Sequence, residues 1–285
     1  MDRSTPDAIV LSPHLDDAAL GLGAWISRQA RTGARVEVWT VYTAGPAVET
    51  LPERLRPFGD YATRLAEDTC AVERLGATPR HLGVWERIWR DPPLGRLRDA
   101  FHTPPDPAAF TERARVASIA AEALDTGAQV CAPLGIGNHV DHVEVTLGTL
   151  DAARSHEHGD RVAFYEDFYA LSEALRRRHP IAARRPVAWW RTPGWAAPPA
   201  GALLRAGALV PRGPGLDRYV PEVTAAPWRC APEPVGPADE AAKLAAIADY
   251  RSQAALLGPA ARLLPAVIRR GHQTHGGELL WRMQE

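Results

Sequence analysis

A short apolar run near the start of the chain, Ala8-Ile9-Val10-Leu11, ends in Ser12-Pro13-His14-Leu15-Asp16-Asp17. A run of that length reads as a buried strand whose C-terminal end delivers a histidine and two carboxylates to one edge. Beyond it, Ala18, Ala19, Leu20, Leu22, Trp25 and Ile26 recur at helical spacing, and Val36-Glu37-Val38-Trp39-Thr40-Val41 reads as a second strand. Strand, helix and strand make a βαβ unit with the His and both Asp in its first loop, and open α/β sheets place their chemistry at that edge.

The same logic recurs downstream. Val130-Cys131-Ala132-Pro133-Leu134 is a second short apolar run, followed by Gly135-Ile136-Gly137-Asn138 and then by His139-Val140-Asp141-His142, which leads into a helical stretch over 143–153. Between the two loops, helical patterns occupy 61–75 and 110–124, His81 to Trp85 reads as a short strand, and 91–107 is Pro-rich and irregular. Val162 to Tyr165 reads as a further strand ending in Glu166-Asp167. The expected organisation is an α/β core over 1–183, a Pro/Gly/Trp-rich insertion or small appendage over 184–237, and a helix (238–257) and tail over 238–285 that pack on the core.

Charge and cysteine usage exclude several classes. The net charge is −1, so no basic footprint for nucleic acid or an anionic membrane is present. The three cysteines, Cys70, Cys131 and Cys230, are scattered and form no disulfide framework. Residues 1–7 lack the apolar region of a signal peptide, and no apolar run approaches the roughly 20 residues needed to span a bilayer. A cytoplasmic location without a membrane span is expected.

His14, Asp17 and His142 would supply two imidazole nitrogens and a carboxylate, the donor set of a catalytic zinc that keeps one position open for water. Fe2+ or Co2+ also suit such a set. Asp16, beside a ligand, is placed to take a proton from the attacking water; His139 is placed to stabilise an oxyanion or protonate a leaving amine. Asp141 is placed to hold a histidine's tautomer. Each loop has a bland reading: an Asp-Asp pair after a strand can simply cap the next helix, and a lone His-x-x-His is more often on the surface. Two such clusters, each between a strand and a helix, weigh against coincidence.

The segment Ser12-Pro13-His14-Leu15-Asp16-Asp17 resembles the Pro-His-Pro-Asp-Asp motif of the PIG-L/LmbE-like zinc N-deacetylases, and His139-Val140-Asp141-His142 resembles their His-x-Asp-His motif. The resemblance covers roughly residues 8–170. It implies a Rossmann-like, mostly parallel sheet with helices on both faces, zinc held by His14, Asp17 and His142, Asp16 as general base, and His139 assisting the tetrahedral intermediate. Arg64, in Arg64-Leu65-Ala66-Glu67, resembles the family's substrate-contacting arginine. Leu15 replaces the second Pro and Ala18 replaces a common Glu, as in a branch that tailors secondary metabolites and glycans. The implied activity is hydrolysis of the acetamide of an N-acetyl amino sugar, N-acetylglucosaminyl in type, within a small-molecule glycoside or glycoconjugate. Acetate and a free amine result. The alternative is a metal-free α/β module that binds a carbohydrate or nucleotide.

Other features carry less. Gly21-Leu22-Gly23 matches only part of a dinucleotide fingerprint and falls inside a helix. Trp189, Trp190 and Trp195 suit either stacking on a ring or loop packing. Tyr165-Glu166-Asp167 suits either the cavity or a cap; His156 and His158 read as solvated; and His272 and His275 are weaker candidates to approach the site. Lys243 and Arg251 read as a solvated face of the late helix. The sequence leaves the oligomeric state open.

Overall fold

Seven strands, β1 (Ala8–Ser12), β2 (Val36–Ala44), β3 (Thr78–Trp85), β4 (Gln129–Pro133), β5 (Val162–Tyr165), β6 (Trp228–Glu233) and β7 (Glu278–Met283), form one sheet in the order β3-β2-β1-β4-β5-β7-β6. The structure is a computed structural model that describes residues 5–207 and 209–284; positions 1–4 of the N-terminal stretch lie outside the described residues. Strands β1 to β5 pair in parallel, β7 runs antiparallel to β5, and β6 antiparallel to β7. The chain winds outward from β1 to β3 and then returns to place β4 on the other side of β1. That reversal leaves a crevice beyond the C-terminal ends of β1 and β4, where ligands bind in open α/β sheets.

The longer helices are α1 (Asp17–Arg31), α2 (Tyr61–Arg74), α3 (Arg113–Asp125), α4 (Val140–Ser155), α5 (Pro198–Gly207), α6 (Pro237–Asp249), α7 (Arg251–Leu257) and α8 (Leu264–His275). Strand alternation sorts them into two layers. Ile9 and Leu11 of β1 pack with Val116 and Ala120 of α3 and with Val143 and Leu147 of α4. Ala8 and Val10 face the opposite way, onto Leu22 and Ile26 of α1, Ala71 and Val72 of α2, and Ala246 of α6. The fold is therefore the expected α/β sheet, mostly parallel, with helices on both faces.

Two local expectations are corrected. The helix expected over 238–257 breaks at Tyr250 (φ −79°, ψ 65°), because the buried Tyr250 hydroxyl turns inward to donate to Asp68 at 2.8 Å. Lys243 is not on a solvated face: it is 2 % exposed and its Nζ donates to Glu278 at 2.6 Å. Glu278 also accepts from the amides of Ala24 and Trp25, at 3.1 and 2.7 Å, where α1 is kinked at Leu22. The carboxylate thus satisfies two donors that the kink frees, and the lysine neutralises it. A Cβ at Gly23 would lie 3.0 Å from Lys243 Cγ, and one at Gly21 would lie 2.7 Å from the Tyr165 ring, so both glycines serve close packing. The 184–237 stretch supplies β6, which pairs with β7 along six residues at the edge of the main sheet. Trp228 anchors this edge, its ring 5.6 Å from that of Phe164.

Candidate metal centre and active-site cleft

The turn between β1 and α1 is fixed by its own side chains. Ser12 Oγ donates to the His14 carbonyl at 2.7 Å and accepts from the Ala18 amide at 3.0 Å. Asp16 occupies the N-cap position of α1 with φ at 133°, yet its side chain caps nothing. A non-glycine residue held there costs on the order of 1–3 kcal/mol, a strain found where side-chain aim matters more than stability. The capping reading of the Asp pair does not describe this turn.

Asp17 is the hub. Its Oδ2 accepts from the His14 amide at 2.9 Å and lies 3.1 Å from His14 Nδ1 and 3.0 Å from His142 Nε2. The far nitrogen of each imidazole is held by a second carboxylate. His14 Nε2 is 3.0 Å from Asp141 Oδ2, and His142 Nδ1 is 2.6 Å from Asp167 Oδ1. Each ring is thereby locked in orientation, with one nitrogen committed outward and the other turned to the shared point beside Asp17.

The second loop supplies the rest. Gly135, Gly137 and Asn138 take φ values of 82°, 93° and 57°. A Cβ at Gly137 would meet the Tyr169 ring at 3.0 Å, so this turn needs glycine on two counts. His139 then precedes α4, and Asp141 and His142 lie in its first turn, fully buried. The His139 ring is centred 4.8 Å from that of His14 and 5.1 Å from that of His142. Donor atoms of the three histidines all lie within 4.8 Å of one another. His142 Nε2 and His139 Nδ1 are buried nitrogens without a hydrogen-bond partner. For His142 the nearby Asp17 oxygen lies out of line for a bond. Such orphaned donors, converging with a carboxylate oxygen, fit a divalent cation of the zinc type.

Electrostatics agree with that fit. Burial opposes the charge on His142, but Asp17 and Asp167 outweigh it and push the imidazole up to about 9. The negative potential that favours a proton there favours a cation equally. Burial, and then the adjacent Asp17 charge, push the Asp16 carboxyl well above its ordinary range. His139 goes the other way, held well below its ordinary value by burial and by the neighbouring His14 and His142. Burial would also raise Asp141, but the His14 hydrogen bond and the Arg90 charge hold it low.

All seven side chains singled out from sequence gather here. His14, Asp16, Asp17, His139 and Arg64 line one cleft of about 390 Å³, while Asp141 and His142 are buried in the first turn of α4 beside it. Arg64 is itself buried, its Nη1 donating to Glu86 Oε1 and to the Phe58 carbonyl, both at 2.7 Å. Its Nε has no partner. His272 and His275 instead line a separate cavity of about 60 Å³ beside Gly21 and Lys243. The three tryptophans cluster with each other on the surface; Trp189 is 63 % exposed.

Sequence reading missed the supports. Arg90 is buried between two carboxylates, donating to Asp141 Oδ1 and, at 2.7 Å, to Glu144 Oε2. Tyr42 donates to the same Glu144 oxygen at 2.7 Å. Glu86 and Arg90 come from the irregular segment after β3, which offers no periodic signal. Asp167 did carry one, an acid at the end of a strand at the same sheet edge.

A mostly parallel α/β sheet with a histidine–carboxylate cluster at its switch point defines the class. Residues 9–153, just over half of the chain, match the model of the family described as PIG-L: GlcNAc-PI de-N-acetylase. The chain belongs to this family, and that membership supports a hydrolytic deacetylase. Among solved structures, it is similar to the antimicrobial reagent A40926 pseudoaglycone deacetylase, with 23 % identity, 99 % of this chain and 98 % of that chain covered, and a TM-score of 0.63. The zinc-inhibited form of a teicoplanin deacetylase matches at 22 % identity over 96 % of each chain, with a TM-score of 0.64. A conserved protein from Thermus thermophilus matches at 17 % identity over 98 % of this chain and 95 % of that one, with a TM-score of 0.51. No curated protein matches the chain. Among the described residues, no helix is long and apolar enough to cross a membrane.

Proposed function

We propose that this chain is a zinc-dependent N-deacetylase that hydrolyses the acetamide of an N-acetyl amino sugar, N-acetylglucosaminyl in type, in a glycoconjugate or glycosylated secondary metabolite. The observation that carries the reading is the donor set itself. His14 Nδ1 and His142 Nε2 lie 3.1 and 3.0 Å from Asp17 Oδ2, and each ring is braced by its own carboxylate. His14, Asp17 and His142 would hold the metal, which when bound polarises a carbonyl and lowers the pKa of a water.

The remaining groups divide the proton work. Asp16, with its proton affinity raised by burial and by Asp17, takes a proton from the water as its oxygen bonds to the amide carbon. His139, kept neutral by its surroundings, hydrogen-bonds the oxygen on which charge develops. When the C–N bond breaks, Asp16 returns the proton to the leaving nitrogen, and acetate and a free amine separate. Arg64, fixed by Glu86 and the Phe58 carbonyl, lines the cleft and offers its guanidinium to a substrate hydroxyl or carbonyl.

Deacetylases of the teicoplanin and A40926 pseudoaglycone type have the same fold, so glycopeptide-linked N-acetylglucosamine is the first substrate class to assay. Acetate release from such a glycoside, abolished by a chelator and restored by added Zn2+, is the expected result. Binding of the sugar with no acetate released under any metal would favour a binding module instead.

A further inference from the structure

We propose that an arginine- and tryptophan-rich surface beside α8 docks this chain on an anionic membrane, as a contact in the headgroup layer and not as a span. The inference goes beyond the deacetylase reading and does not depend on it. Residues 174–216 hold eight arginines and no Asp or Glu, and residues 250–277 hold four arginines and again no acid. The net charge of −1 averages this excess away against acids elsewhere in the chain. The expectation drawn from net charge, that no basic footprint is present, is therefore corrected by the distribution of the charge.

The two acid-free segments fold onto each other. Ala197 and Ala200 pack with Val267 of α8, and a Cβ at Gly194 would lie 2.9 Å from Gly201 Cα, so the turn that carries the tryptophans sits directly on α5. Arg270 of α8 donates to the Trp190 carbonyl, and Arg191 donates to the Thr274 carbonyl, both at 3.3 Å. Arg191, Arg269 and Arg270 therefore border the tryptophans. Arg269 reaches Glu240 at 3.4 Å, whereas Arg191 and Arg270 form no ion pair among the described residues. Trp189, Trp190 and Trp195 are 63, 58 and 51 % exposed. The Trp189 ring stands edge-on to Trp190, with centroids 5.8 Å apart, and lies 5.1 Å from Trp195. Three indoles packed on one another at the surface combine an apolar body with polar tips, the chemistry that settles at a membrane–water interface. The guanidinium groups beside them complement anionic headgroups. The same segments also expose Leu203 and Leu209. Aliphatic side chains gain from acyl chains but stack on no base, which favours a bilayer over single-stranded nucleic acid.

Each guanidinium brought to an anionic surface strengthens binding by about fivefold. Co-sedimentation of the full chain with vesicles tests the proposal. Vesicles of phosphatidylcholine with about one third phosphatidylglycerol should bind the chain about tenfold or more tighter than phosphatidylcholine alone, with a blue shift of the tryptophan emission. Binding should weaken steeply as NaCl rises from about 0.1 to 1 M, which shortens the screening length from about 10 to 3 Å. Arg191→Glu combined with Arg269→Glu should lower the affinity about tenfold or more. Trp189→Ala combined with Trp190→Ala, shown to be folded by circular dichroism, repeats the test through the apolar part of the surface and should also weaken binding. No binding to the anionic vesicles, equal binding to both compositions, or affinity unchanged in both variants would overturn the proposal. So would tighter binding to a single-stranded DNA oligomer than to the vesicles, or a dimer, seen by light scattering, that the tryptophan variant dissolves. Docking is read without turnover, so acetate release tests the deacetylase reading separately.

Discussion

Asp141 Oδ2 lies 3.0 Å from His14 Nε2, across 127 residues of sequence, and joins the two loops of the site into one unit. The carboxylate is fully buried and is also held by the Arg87 amide and the Arg90 guanidinium. It is therefore a fixed, ionised partner that orients the His14 ring and strengthens its other nitrogen as a donor. Asp141→Asn keeps the shape and weakens that push. The expected result is a loss of roughly 10–100-fold in Zn2+ affinity by chelator competition. Unchanged affinity in a folded variant would show that Asp141 does not act through His14.

Asp16 separates activity from stability. Asp16→Asn should retain the metal, because His14, Asp17 and His142 are untouched, while turnover falls by about 10²–10⁴-fold. Asp16→Gly should also be inactive, yet more stable than the parent by about 1 kcal/mol, since glycine accepts the φ of 133° without strain. Thermal denaturation of the metal-free proteins reads the second effect.

His179 gives the fold an acid-sensitive point away from the cluster. It is 5 % exposed, and its Nδ1 accepts from the Ile181 and Ala182 amides at 3.4 and 3.2 Å. Burial lowers its pKa to about 4. The unfolded chain, with an ordinary histidine near 6.5, therefore binds more protons than the native state between about pH 6.5 and 4. This residue's contribution is full above that window and is lost as pH falls through it, on the order of 3 kcal/mol at most. Urea midpoints from pH 7.5 to 4.5 should fall less steeply for a folded His179→Gln variant than for the parent.

How much was legible depends on where the partners sit in the chain. His14, Asp16 and Asp17, and likewise His139, Asp141 and His142, lie within a few positions of a strand end, so period and punctuation locate them. Asp167 supports His142 from 25 residues away, Arg90 supports Asp141 from 51, and Glu86 holds Arg64 from 22. Only the folded sheet brings these together. Lys243 departs from its sequence reading for a related reason. A lysine on an amphipathic helix defaults to solvent, and its burial depends on Glu278, 35 residues on, and on the space left by Gly23. The break at Tyr250 is likewise set by a distant acid, Asp68, and not by local propensity.

The metal content of the purified chain, beside that of His142→Ala, tests the account most directly. His142 is fully buried and its Nε2 has no hydrogen-bond partner, so removing the ring deletes a donor directed at the shared point. Elemental analysis after dialysis should find about one zinc per parent chain and essentially none in the variant, with circular dichroism showing both folded. Equal metal in the two proteins, or none in the parent even after incubation with Zn2+, would contradict the two-loop centre.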